Sequence, residues 1–427
     1  MALEDYRSSM LSCIRCSMCK WVPGPVTKSW RFSRICPSQD RYKFHTYAGG
    51  GRVITALSVL TERASLSEEM VDIIYKCQMC GGCDVVCHML SPLVEPLEIM
   101  RELRAKCISE GYVSPEIMTV IDNLKKEDTM MMGKKKADRG NWAEGLGLKD
   151  LTKEKAEAVF HVGCRLSYDI EQWPALRAAA TFLREAGVDF GIMGKDEVCC
   201  GGRAYDLGYV GELTKYAENN RDAWRNAGVT KVIVACGDGY GALQNLYPKV
   251  LKDFDFEILH VSQYLAQLLK EDRFKPTKEI PMRVTYHDPC HLGRLGEHYL
   301  LWEGTQKRFP GPALKFDPPK PERHGVNGVY EPPREMLRSI PGLDLVEMDR
   351  NREYSYCCGA GGGVIDTDPE YARWTAKVRI EEAKATGAEA IVTSCPWCYR
   401  NLKDAAEEVG EIEVHDVTEL LARAMGM

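Results

Sequence analysis

The chain has no apolar run long enough to cross a bilayer and no leader of the secretory type. It therefore reads as a soluble chain that reaches a membrane only by docking to another subunit. It also lacks a long basic run, and its net charge is only -6, which sets nucleic acid aside as the main partner. No G-x-G-x-x-G fingerprint follows a strand, and no P-loop lysine follows the glycines at 359–363, so any flavin would sit on a partner. Cysteine, by contrast, is abundant: 18 in 427 residues, a length with room for two or three domains. In a small secreted protein that number would signal disulfides. Here the cysteines stand in tight pairs and triplets of a long chain, which is the pattern of metal binding.

Of residues 1–125, the first 90 carry eight of them, as Cys13-x2-Cys16-x2-Cys19, Cys36-Pro37 and Cys77-x2-Cys80-x2-Cys83-x3-Cys87. Three thiolates spaced by two residues wrap three corners of a cubane, whereas a four-coordinate zinc ion takes two separated pairs. In two-cluster ferredoxins the cysteine after each triplet ligates the other cluster. Cys13, Cys16, Cys19 and Cys87 are therefore assigned to one cubane [4Fe-4S] cluster, and Cys77, Cys80, Cys83 and Cys36 to a second. Two features depart from the usual pattern: His88 replaces a proline after the last cysteine, and Cys36 stands 17 positions after Cys19. Between the triplets Val53, Ile54, Leu57, Leu60, Val71 and Ile74 fall at helical spacing, so an all-alpha two-cluster ferredoxin domain is expected. Cys107, on an expected helix from Pro96 to Glu110, reads as an ordinary buried thiol.

From 126 to 157 the chain is charged and without periodicity, which reads as a linker, and Lys134-Lys135-Lys136 reads as solvated surface. Beyond it the chain repeats itself. Ala158 to Cys164 resembles Arg283 to Cys290, Val198-Cys199-Cys200-Gly201 resembles Tyr356-Cys357-Cys358-Gly359, and Lys231 to Cys236 resembles Ala390 to Cys395. Short β-branched runs alternate with helix-like segments such as Leu213 to Ala227 and Ala372 to Ala385. Two duplicated α/β domains are expected, 158–275 and 280–427, with parallel sheets and cysteines at the carboxyl ends of strands.

In the second copy Cys290, Cys357, Cys358, Cys395 and Cys398 make one candidate site. Adjacent thiolates on an extended chain point apart, so Cys357 and Cys358 reach one centre only where Gly359 lets the chain turn. A multinuclear cluster suits that pair better than one zinc ion, and the glycines that follow would bring N–H groups to its sulfides. The first copy has Gly239 where the second has Cys398. That leaves Cys164, Cys199, Cys200 and Cys236 for a smaller iron–sulfur cluster, a zinc ion or nothing, with Asp238 either an oxygen ligand or a plain loop aspartate. The second copy also has 66 residues between Cys290 and Cys357, against 34 in the first. This insertion, with the proline-rich Phe309 to Pro333 and His324 inside it, reads as a lid, a partner surface or a plain loop.

With these motifs in this order, the whole chain resembles the D subunit of heterodisulfide reductase and its relatives. In that family a two-cluster ferredoxin region is fused to two copies of the cysteine-rich CCG domain. Iron–sulfur subunits of glycolate and lactate oxidases share the plan, and among electron-relaying relatives the chain is also similar to the D subunit of the large anaerobic benzoyl-CoA reductase complex. The resemblance implies a noncubane [4Fe-4S] cluster on Cys290, Cys357, Cys358, Cys395 and Cys398. It further implies that heterodisulfide cleavage needs a pair of such clusters, and Gly239 breaks the pair. The expectation is a cytoplasmic iron–sulfur electron-transfer subunit of an oxidoreductase, peripheral to a membrane only through a flavoprotein or catalytic partner subunit.

Three mechanistic readings follow. In the first, electrons pass singly from the cubanes to the five-cysteine site, where Trp397 and Tyr356 exclude water. In the second, the chain is a disulfide reductase, or the iron–sulfur subunit of a flavin-linked 2-hydroxyacid dehydrogenase; His287 and His291 then deliver protons and Arg294 binds an anion, unless all three only support Cys290. In the third, the metals merely hold the fold.

Overall fold

The computed structural model describes residues 2–300, 302–308, 314–319, 321 and 323–427. Residues 2–127 are built on helices, the main ones being Gly49–Leu60, Glu68–Tyr75, Gly82–Leu90, Pro96–Ser109 and Pro115–Glu127. Local chemistry sets their starts. Ser67 Oγ accepts from the Met70 N–H at 3.3 Å and Ser114 Oγ from the Ile117 N–H at 3.4 Å. Pro96 and Pro115 open their helices, where no N–H is needed. Among the described residues of this part no strand forms, and an isolated antiparallel bridge joins Trp21 to Arg34. Val53, Ile74, Leu97, Leu103 and Ile121 share its core with Cys107, whose thiol burial pushes up to about 12.

Two parallel sheets follow. The first contains Lys149–Asp150 (β1), Ala158–His161 (β2), Phe190–Ile192 (β3), Lys231–Val234 (β4) and Glu257–His260 (β5), in the order β1-β3-β2-β4-β5. The second uses Met282–Tyr286 (β6) and, after an antiparallel hairpin of Thr305–Arg308 (β7) and Leu314–Asp317 (β8), Leu343–Val346 (β9), Ala390–Thr393 (β10) and Glu413–Asp416 (β11). Its order is β11-β10-β6-β9. Matched by position, β3-β2-β4-β5 and β9-β6-β10-β11 are one arrangement used twice, so the repeat in the sequence is a repeat of topology. Strands β2 and β10 are buried along their whole length, as helices on both faces of a parallel sheet require.

The copies meet through paired helices. Trp173–Glu185 packs on Val417–Met425, and its counterpart Glu331–Arg338 packs on Val261–Lys270, an approximate two-fold relation. Phe160, Ile233 and Leu265 of the first copy join Val284, Val392 and Leu420 of the second in one core.

The 126–157 segment, expected as a linker, is packed onto the first copy. Lys149–Asp150 extends the first sheet beside β3, Trp142 is buried edge-on to Phe160, and the buried Arg139 pairs with Glu197 at 3.0 Å. Its charge hid this, because Arg139 meets its partner 58 residues downstream. Of the proline-rich insertion, residues 309–313, 320 and 322 lie outside the described residues. Among the described residues no helix is long and apolar enough to cross a membrane.

Candidate metal centres

In the amino-terminal part, left-handed turns curl each triplet: Arg15 and Ser17 have φ of 60° and 65°, and Met79 and Gly81 have 52° and 69°. Helix Gly82–Leu90 then carries Cys83 and Cys87 four residues apart, on one face. Cys87 turns to Cys13, Cys16 and Cys19, while Cys83 turns to Cys36, Cys77 and Cys80. Cys19 of the first group also neighbours Cys36 of the second, so the eight thiols form one continuous cluster of sulfurs.

Sequence reasoning passed over Gly49-Gly50-Gly51, which opens helix Gly49–Leu60 against both sets. The Gly50 N–H donates to Cys19 Sγ at 3.2 Å, and a Cβ on Gly49 would lie 2.7 Å from the Cys83 Cβ. The triple glycine was the available signal. Burial pushes the Cys19 thiol up to about 11 even with that N–H bond, and burial likewise raises Cys36 and Cys87. Thiolates so placed require a cationic centre to offset desolvation, and neighbouring sulfurs with N–H donors fit an iron–sulfur group.

In the second copy the five cysteines converge at the ends of β6 and β10 and on the turn at Gly359. Cys290 neighbours Cys357, Cys358 neighbours Cys398, and Cys395 neighbours Cys398. Gly359, at φ +95°, donates its N–H to Cys357 Sγ at 3.3 Å. The following glycines do more than approach sulfide. A Cβ on Gly361 would stand 2.4 Å from the Gln78 carbonyl oxygen, and one on Gly362 2.4 Å from that of Cys77. They let the second CCG motif lie directly on the second triplet, and Cys80 consequently neighbours Cys357. Tyr356 is fully buried under Arg350, and Trp397 lies 3.8 Å from the Arg203 guanidinium.

The three residues expected to do proton and anion chemistry are otherwise engaged. His287 is buried, its Nδ1 accepting from Arg379 Nε at 3.1 Å, and burial holds its pKa below the usual range. The neutral ring must carry its proton on Nε2, which has no hydrogen-bond partner of its own, and a ring nitrogen of His287 lies within 4.8 Å of the Cys358 and Cys398 sulfurs. That buried N–H is placed to donate to a sulfur of this group. His291 lies between Asp238 (3.0 Å) and Asp206 (3.4 Å). Burial would lower its pKa, but Cys290 and these two carboxylates outweigh it and hold an imidazolium. Arg294 donates to the carbonyls of Cys80 (2.8 Å), Glu353 (2.6 Å) and Ser355 (2.6 Å), so its fork is not open to an anion.

The first copy does not gather its four cysteines about one point. Cys164 neighbours Cys199 and Cys199 neighbours Cys200, with Arg139 Nη2 3.7 Å from Cys164 Sγ. Cys236, whose Cβ would lie 3.4 Å from a Cβ on Gly163, has Cys395 of the second copy as its sulfur neighbour. Asp238 follows it, engaging His291 and Arg203, so it is no oxygen ligand of the first set. Between the copies a cavity of about 160 Å³ is lined by His260, Ser394, Tyr399 and Asp416.

A helical part carrying two four-thiol sets, followed by a duplicated α/β unit with a five-thiol set, defines the iron–sulfur component of an oxidoreductase. Residues 9–90 match the family model of the 4Fe-4S dicluster domain, and residues 158–244 and 322–403 match that of the cysteine-rich (CCG) domain. The chain is 32% identical to the D subunit of the dihydromethanophenazine:CoB–CoM heterodisulfide reductase of Methanosarcina mazei, over 97% of this chain and 94% of that one. The EtfAB:quinone oxidoreductase of Syntrophomonas wolfei is 28% identical, over 97% of this chain and 58% of its own. The B subunit of the fumarate reductase (CoM/CoB) of Methanothermobacter marburgensis is 29% identical, over 82% and 61%. The chain belongs to the family of heterodisulfide reductase D subunits, and its role is electron transfer within an oxidoreductase.

Proposed function

We propose that the chain passes electrons one at a time between two four-cysteine sets, each holding a cubane [4Fe-4S] cluster, and a noncubane [4Fe-4S] cluster on Cys290, Cys357, Cys358, Cys395 and Cys398. Such clusters, when bound, supply reversible one-electron chemistry. The observation that carries this reading is an unbroken run of neighbouring thiols: Cys19 neighbours Cys36 of the second set, and Cys80 of that set neighbours Cys357. The chain's own residues tune what is bound. The N–H groups of Gly50 and Gly359 donate to sulfur and favour added electrons, while Tyr356 and Trp397 exclude water. The first set, split between Cys164, Cys199 and Cys200 on one side and Cys236 on the other, holds no complete cluster in this reading.

The domains we propose are 1–125, 158–275 and 280–427, with 126–157 serving the first CCG domain. The partner is a flavoprotein or catalytic subunit, of the kind that accompanies the benzoyl-CoA reductase D subunit or a 2-hydroxyacid dehydrogenase, and the site of action is the cytoplasm or a membrane surface reached through that partner. A second reading, disulfide reduction, is favoured by the name of the Methanosarcina relative and by the cavity lined by Ser394, the residue before Cys395. Anaerobic assay of the isolated, reduced chain separates the two. The relay predicts stable reduced EPR signals and no turnover of added disulfide. Steady turnover would put the second reading first.

A further inference from the structure

Of the eighteen cysteines, Cys16 alone is exposed. It sits in the loop from Cys13 to Cys19, whose end at Met18–Lys20 packs on helix Gly82–Leu90, and both segments carry exposed apolar side chains. Leu11 is 46% exposed and Ile14 65%, while Met89 and Leu90, at the end of the helix that brings Cys87 to Cys16, are 50% and 54% exposed. Of thirteen exposed large hydrophobic side chains among the described residues, these four lie within three residues of a cysteine of one set. Single exposed apolar residues are ordinary, but four on two packed segments that carry one cysteine set mark an apolar face.

The charge around this patch has the sign opposite to that of the chain. Among the described residues Arg7, Arg15, Lys20 and Lys28 enter no ion pair, whereas Arg31, Arg34, Arg41 and Lys43 nearby are all paired with carboxylates. In a chain of net charge -6, the first 28 residues hold these four cations, unpaired among the described residues, against only Glu4 and Asp5, in the same segment as the one exposed thiol. The other basic run, at 134–136, has no exposed cysteine beside it, and Lys136 is paired with Asp128 at 2.6 Å.

We infer that this face is the electron port of the chain: the docking surface for a redox protein that presents an acidic rim around its own one-electron centre. Docking places the apolar patch against the partner's centre, while the cations steer approach and fix orientation. One electron would leave the reduced partner, which is oxidised, and reduce the iron–sulfur cluster that Cys13, Cys16, Cys19 and Cys87 would hold, with no proton and no bond changing hands. The inference rests on the electron-transfer reading above.

The test is stopped-flow reduction of the oxidised, cluster-loaded chain by an acidic flavodoxin in its hydroquinone form, from 20 to 300 mM salt. Photoreduction by a deazaflavin, which needs no docking face, runs beside it. The port predicts a second-order rate that falls about tenfold across the salt range. The pair Arg7→Glu with Arg15→Glu should lose about tenfold at low salt and most of the salt dependence, with iron content and photoreduction unchanged. Ile14→Ser should slow the reaction without altering its salt dependence. Lys134→Glu with Lys135→Glu should react as the unaltered chain does. The inference is overturned if flavodoxin does not reduce the chain, if the rate ignores salt, or if the 134/135 pair is slowed in place of the 7/15 pair. If photoreduction itself yields no cluster EPR signal, the electron-transfer reading fails, and that result is distinct from all the others.

Discussion

Arg294 holds Cys80 in place, its Nε donating to the Cys80 carbonyl at 2.8 Å while its other nitrogens hold Glu353 and Ser355. One buried side chain from the second CCG domain thus fixes the loop of the second triplet against the loop that leads into Cys357. Arg294→Met leaves three carbonyls without this donor. It is expected to cost about 3 kcal/mol, read as a lower denaturation midpoint, and to slow electron transfer between the amino-terminal sets and the second CCG site. Arg294→Lys should recover only part of both, because one ammonium cannot span three carbonyls.

The same junction depends on Gly362, at φ +61°, where an added Cβ would meet the Cys77 carbonyl oxygen at 2.4 Å. Gly362→Ala is expected to destabilise the protein by about 2–4 kcal/mol, since two backbones must part. Differential scanning calorimetry of the loaded protein checks this, with Gly211→Ala as a control where nothing stands within 4 Å of the new Cβ.

His287 is assigned an N–H···S role. Its replacement by Ala should leave iron content near that of the unaltered chain and lower the midpoint potential of the second CCG site by about 40 mV, the equivalent of one hydrogen bond of about 1 kcal/mol. Potentiometric titration followed by EPR measures it. A large loss of iron instead would mean that the ring is a ligand.

Asp416 caps helix Val417–Met425 and lines the cavity between the copies, and burial pushes its carboxyl up to about 7. The folded state therefore favours the protonated acid, so the contribution is full below the unfolded value near 4 and falls as pH rises through 7. Going from pH 5.5 to 8 should cost about 2 kcal/mol from this group alone. Asp416→Asn should flatten that part of the slope in urea denaturation at the two pH values.

Much of this was legible in the sequence because it is carried by local signals. The triplets announce a cysteine-bearing helical part, and the β-branched runs before Cys164, Cys236, Cys290 and Cys395 predict strands in both copies. What escaped depends on contacts between distant positions. Arg104, on the helix expected from Pro96 to Glu110 and not singled out by the sequence, is fully buried and donates to the carbonyls of Cys77, Asp206 and Gly362. Cys236 reads as a member of the first set, yet it sits beside Cys395, 159 residues on, because the copies pack with their equivalent strand ends together. A duplicated motif tells which residues are equivalent, not which copy each of them faces.

The most direct test of the central claim is anaerobic iron, acid-labile sulfide and zinc analysis of the purified chain, joined to EPR during reductive titration. The relay predicts about twelve irons, two cubane signals and one signal of a different type, with about four irons lost in Cys357→Ala and none in Cys164→Ala. About sixteen irons, or zinc without labile sulfide, would contradict it.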